Sequence, residues 1–244
     1  MEANGGFATL GHLYHEVPRV PGCQWHTKTP YASIRRIVQD ERFFFKIRPG
    51  LWALKDRRKE IEERFGARPS ETEAVSAFSH TYFQGLVVEI GNMEGFDTFV
   101  PAQDRSKSFL NKQLGEVATL VELQPFTYDH IWRRARTVDV VWVNRRMFPH
   151  SFFEVEHTSD IQGSLLKFVE LQDFSAKLNI VSDKARRTEF EGKLRCDAFT
   201  DIRQRVTFLD YDYLAGLHAK ISELHQYRMA QPDQRTQRPP VNER

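Results

Sequence analysis

Three acidic residues sit where acids are costly. Asp139 interrupts the apolar run VDVVWV at residues 138–143, and Glu154 and Glu156 lie within SFFEVEHT at residues 151–158. Both segments have strand composition, and the RRMFPH between them is the length of a hairpin link. Strand side chains alternate faces with period 2, so Glu154 and Glu156 point the same way while Val155 joins Phe153 on the other face. A buried strand seldom carries a carboxylate without a partner. Three acids converging across a hairpin make an oxygen-rich site of the kind that Mg²⁺ takes, with Mn²⁺ a substitute. Two such cations about 3.5–4 Å apart activate water and stabilise a leaving oxygen in phosphodiester hydrolysis. The competing reading is the solvent face of an edge strand. The flanking apolar helices and the mid-domain position weigh against it.

The elements that must hold these acids are legible from periodicity. A long, largely apolar helix is expected from about Glu71 to Asn92, with Ser70 and Glu73 as a capping box at its start. A short strand DTFVP at 97–101, a helix YDHIWRRAR capped by Thr127, and the two acidic strands follow. Beyond them come a helix at 161–174, a strand at 178–183, a helix near 186–194, the strand VTFLDYD and a last helix at 211–227. This order implies a mixed sheet with helices on both faces.

The first 56 residues read differently. Thr9 caps a short helix LGHLYHEV, and Thr29-Pro30 starts a second, YASIRRIVQDE, with Ile34, Ile37 and Val38 on its core side. FFFKI and LWAL follow as two strands, with Arg48-Pro49-Gly50 as the turn. Residues 1–68 carry 13 Lys and Arg against 8 Asp and Glu, whereas residues 69–244 carry 22 against 25. A basic small unit on a slightly acidic large one suggests a nucleic-acid-binding module. The divisions expected are 1–56, a charged linker 57–70, a core 71–230 and a disordered tail 231–244.

The segment TPYASIRRIVQDERFFFKIRPGLWALKD resembles the HARE-type winged helix, a helix-turn-helix variant found on restriction enzymes and chromatin proteins. In this chain only four residues precede Gly5-Gly6, where that family places a further helix. The resemblance implies duplex DNA as the partner, with Lys28, Arg35 and Arg36 reaching phosphates or bases and Lys46 and Arg48 on the wing.

Asp, about fifteen residues, then Glu-x-Glu on the next strand is similar to the PD-(D/E)xK nuclease superfamily over roughly residues 71–210. The resemblance implies an α+β or α/β fold: a winged helix followed by a restriction-endonuclease-like mixed sheet flanked by helices. It implies Asp139 and Glu154 as metal ligands in a type II restriction-like, Mg²⁺-dependent endonuclease. Glu156 stands where that motif has lysine, as general base or further ligand. Lys167 or Gln172 on the following helix are alternative sources of the missing group. Glu89 on the first long helix is an accessory carboxylate, and Glu116 a weaker candidate. A double-strand cut needs two sites, so a homodimer is expected. The missing lysine motivates one competitor, a catalytically inactive protein that binds or reads modified DNA. A protein-protein adaptor is another.

Composition excludes other classes. Apolar residues form 40% of the 244 and net charge is only +2, which rules out bulk disorder. Two cysteines make no disulfide framework. The absence of a membrane-length apolar run and of a signal-peptide pattern leads to a cytoplasmic expectation.

Overall fold

A computed structural model describes residues 1–22, 27–65 and 72–230, with the side chains of 72–78 left aside. The expected capping box at Ser70 and the tail from residue 231 lie outside the described residues. The chain begins with strand β1 (Phe7–Thr9), helix α1 (Leu10–Glu16) and helix α2 (Pro30–Val38). Strands β2 (Phe44–Arg48) and β3 (Leu51–Leu54) follow, joined by a turn in which Gly50 takes a φ of +77° that only glycine adopts without strain. Thr9 caps α1 by accepting from the His12 N–H, and Pro30 occupies the first position of α2. The three strands form an antiparallel sheet ordered β1-β3-β2.

Residues 57–65, within the expected linker, have the helical character that DRRKEIEERF suggests, and they are packed. Helix α3 (Arg58–Arg64) buries Ile61, and Phe65 follows it into the same apolar cluster as Phe7, Leu51 and Phe83. Two apolar residues four apart are enough to seat a helix, even in a sequence otherwise dominated by charge.

Helix α4 (Thr72–Met93) is the central support. Every residue from Thr81 to Val88 is buried. A helix apolar all round must be covered on all sides. The small N-terminal sheet covers one side through Leu51 and Ala53, and the Tyr82 hydroxyl donates to the Pro49 carbonyl in the β2–β3 turn (2.9 Å). Gly85 lets Phe109 approach: a Cβ there would lie 2.1 Å from its ring. Gly85→Ala is expected to cost about 1–3 kcal/mol by overpacking, measured as a lower denaturation midpoint with an unchanged denaturant slope.

Against the other side of α4 lies a five-stranded mixed sheet ordered β10-β9-β8-β7-β4. Strand β4 (Asp97–Phe99) leads to the small hairpin β5 (Ser108–Phe109) and β6 (Lys112–Gln113), then to short helices α5 (Leu114–Val117) and α6 (Asp129–Ala135). Strands β7 (Val140–Val143) and β8 (Pro149–Glu156) pair antiparallel. Helix α7 (Ile161–Glu170) then crosses over to β9 (Lys177–Ser182), and α8 (Arg187–Leu194) to β10 (Val206–Asp210), each strand parallel to its predecessor. Helix α9 (Tyr211–Ala230) closes the described chain.

Each face of this sheet has its own core. Val140, Phe153 and Val155 pack with α4 and the start of α9, whereas Val141, Phe152 and Ile180 pack with Leu165 and Phe168 of α7. The alternation that sorts these apolar residues sends Glu154 and Glu156 to the α7 side.

Candidate active site

Val140 pairs with Phe153 in the β7–β8 ladder, which puts Asp139 opposite Glu154. Asp139 Oδ2 accepts from the Val155 N–H at 2.8 Å, so this carboxylate is fixed at the strand end. Glu154 is only 2% exposed and Glu156 5%. These values exclude the solvent-face reading. Lys167 reaches across from α7, with Nζ 2.9 Å from both carboxylate oxygens of Glu154. The Ser164 hydroxyl, one turn earlier, donates to Glu154 (3.1 Å) and to Glu156. The Ser159 hydroxyl also donates to Glu156. An open cleft of about 420 Å³, lined by Glu156, Ser159, Ser164, Lys167 and Arg134, gives solvent access to this group.

The electrostatics follow from burial. Burial raises the Asp139 pKa, against the opposing pull of His80, the Val155 N–H and Lys167. Glu154 is pushed well above the ordinary carboxylate range by burial first and the Asp139 charge second, with Lys167 opposing. Burial depresses Lys167, but the combined attraction of Glu154, Asp139 and Glu156 outweighs it and leaves its pKa raised. Lys167 therefore favours its ammonium form, and Asp139 and Glu154 hold a proton more tightly than carboxyls in water do.

The neighbourhood of Asp139 also holds residues that no sequence motif marked. His80 Nε2 of α4 lies 3.8 Å from Asp139 Oδ2. Gln84, one turn further on, donates from Nε2 to Asp104 Oδ2 (3.0 Å) and to the Asp139 carbonyl (2.8 Å). Asp104 is 3% exposed and also accepts from Lys107. The i,i+4 spacing of His80 and Gln84 was the one readable signal.

Other expected residues lie elsewhere. Glu89 bonds His218 of α9 (2.7 Å), nine residues along α4 from His80, and does not join the acids. Gln172 falls beyond the end of α7, where its carbonyl is bound by Arg205, and it makes no contact with the acids. Glu116 closes a capping box at the start of α5. Among the basic residues, Lys28 and Arg36 are exposed on and before α2. Arg35 is a tie between helices: its Nη1 donates to Glu223 Oε2 of α9 (2.6 Å) and to the Tyr14 hydroxyl (3.0 Å). This guanidinium is anchored to α9 through one nitrogen. Arg35→Ala is expected to cost about 1 kcal/mol of stability and to leave DNA affinity unchanged, as thermal unfolding and a binding titration would show. Lys46 pairs loosely with Asp212 (3.4 Å), and Arg48 lines a cleft with His157 and Tyr211 at the ends of β8 and β10.

Among the described residues, no helix is long and apolar enough to cross a membrane. No curated protein and no solved structure matches the chain. Residues 67–232, about two thirds of the chain, match the family described as the C-terminal domain of the type II restriction enzyme NmeDI. That span holds α4, the five-stranded sheet and every acid of the site, and the chain belongs to this family of type II restriction enzyme domains.

Proposed function

We propose that the protein is a Mg²⁺-dependent endonuclease that hydrolyses phosphodiester bonds in double-stranded DNA, with a core of the PD-(D/E)xK type. The observation that carries this reading is Lys167 at 2.9 Å from both oxygens of Glu154, opposite Asp139. The lysine absent from the strand motif enters the same site from α7. This favours an active enzyme over an inactive DNA reader.

Asp139 and Glu154 are the residues that would hold the cation. The donor set fits: carboxylates, hard oxygen ligands, crowded in a buried site that resists their ionisation. When bound, Mg²⁺ supplies positive charge to the phosphoryl oxygens as negative charge develops there. Lys167 holds Glu154 in place and adds a second positive charge beside the scissile group. Glu156, oriented by Ser159 and Ser164, is placed to take a proton from attacking water at its carboxylate. The burial of Glu154 strengthens its interaction with Lys167.

The sheet β1-β3-β2 with α1 and α2 supports a winged helix that positions the duplex. With Arg35 committed to α9, its DNA contacts fall to Lys28, Arg36 and the wing residues Lys46 and Arg48. Each chain carries one such site, so cutting both strands calls for a homodimer.

Supercoiled and linear plasmids from several sources, modified and unmodified, test the reading. Discrete fragments that need Mg²⁺ and vanish with EDTA are expected. Intact DNA on every substrate, with binding retained, would sink the enzyme reading.

A further inference from the structure

The geometry points to a second cation site, formed by His80, Asp104 and Asp139, that prefers a transition-metal ion such as Mn²⁺ to Mg²⁺. One ligand atom from each of these residues lies within 4.8 Å of the others. Ligands on opposite sides of one ion are separated by roughly 4–4.4 Å at ordinary metal–ligand distances. Small side-chain movements therefore bring all three donors onto a single ion. Two of them are already constrained. Asp139 is held by the Val155 N–H, and Asp104 by Gln84 and Lys107. Each carboxylate keeps lone pairs beyond those bonds.

A separate observation marks the place. Gln84 is fully buried, and its Oε1 has no hydrogen-bond partner, although its Nε2 bridges Asp104 and the Asp139 carbonyl. A sealed carbonyl oxygen without a donor is costly. It sits on the residue that holds the Asp104 carboxylate and the Asp139 backbone carbonyl, one turn along α4 from His80. A cation, or water attached to one, would give that oxygen a favourable neighbour. His80 remains 24% exposed in its side chain and Asp139 15%, so an ion can enter.

The donor set determines the preference. Mg²⁺ holds to hard oxygens and its own waters, whereas a first-row transition ion, Mn²⁺ included, accepts an imidazole beside carboxylates. This site is distinct from Asp139–Glu154, which offers oxygens alone, and Asp139 is common to both. Its role in cleavage rests on the nuclease reading, but its existence does not.

Mn²⁺ alone is the probe. Pulsed electron paramagnetic resonance of the full chain with Mn²⁺ is expected to show ¹⁴N modulation from a directly bound imidazole. His80→Ala should abolish that modulation and weaken Mn²⁺ binding by at least about tenfold. Asp104→Asn should weaken binding while the modulation persists, and Glu154→Gln should leave the modulation intact. Unfolding curves of each variant identify any loss that is merely structural. Absence of ¹⁴N modulation in the wild type, or its survival in folded His80→Ala, overturns the site. Mg²⁺-dependent cleavage together with either of those results defeats this proposal alone. A histidine-bound Mn²⁺ with no cleavage under any metal defeats the nuclease reading alone.

Discussion

Asp139→Asn is expected to reduce DNA cleavage by about 10³-fold or more, equivalent to roughly 4 kcal/mol of barrier, while leaving the cation-free protein at least as stable as the wild type. Asparagine keeps an oxygen for the Val155 N–H and fills nearly the same volume, so the strand end is preserved. What it removes is a buried charge facing Glu154. The sign of the stability effect follows from linkage. The folded protein raises the Asp139 pKa, so in the native state this group binds its proton more tightly than in the unfolded chain. Its contribution is fully present below the unfolded value near about 4 and is lost as pH rises through the higher folded value. Above that window the wild type carries a penalty that Asp139→Asn lacks. Thermal unfolding without divalent cations should show the variant's advantage growing from pH 5 to pH 8. A variant that unfolds earlier than the wild type at pH 8 would mean that the charge is stabilising and that the acids are not held in tension. Sites that sacrifice stability for function commonly respond in this way.

Lys167→Met is expected to lower cleavage by about 10²–10³-fold, the scale of losing one preorganised group at a reacting centre. It should also destabilise the protein more at pH 8 than at pH 5. Lys167 faces both oxygens of a carboxylate that is 2% exposed. Stripping the cation from a buried pair costs about 3–5 kcal/mol when the remaining charge has no escape. Here the ammonium is partly exposed, and Glu154 has an escape through protonation, because its pKa already lies well above the ordinary range. At pH 5 the orphaned Glu154 takes a proton and most of the cost vanishes, whereas at pH 8 holding that proton is harder. Lys167 does not blur the comparison. Its raised pKa means that its own contribution is lost only at pH above the ordinary lysine range. Lys167→Arg retains the charge and should lose less activity. Equal rates for Lys167→Met and the wild type would assign the lysine a purely structural role.

The acidic hairpin was legible because period 2 is enforced over short distances: once SFFEVEHT is a strand, Glu154 and Glu156 share a face. Lys167 was legible as a candidate only because the helix after the strand is short and must pack back over it. Which of Lys167 and Gln172 faces the acids depends on where α7 ends, and it ends at Glu170. His80, Gln84 and Asp104 were hidden for a different reason. They meet Asp139 through contacts that span 35 to 59 positions, and no periodicity carries across such a gap. Glu89 was misplaced by the same helix, since its partner His218 belongs to an element far along the chain. The tie from Arg35 to α9 was hidden in the same way, since its acid partner lies 188 residues away. The packing of Ile61 and Phe65 was hidden in the charged stretch, because two apolar residues were outnumbered by charges that remain in solvent.

Asp139, Glu154 and Lys167 are the proposed cutting group. Single-turnover cleavage of a duplex bearing a mapped site, by the wild type, Asp139→Asn and Lys167→Met in Mg²⁺ and in EDTA, tests it most directly. The predicted result is a rate that disappears in EDTA and collapses in both variants while each still binds the duplex and unfolds cooperatively. Cleavage that persists in folded Asp139→Asn, or that does not respond to EDTA, would contradict the account and move the chemistry elsewhere in the molecule.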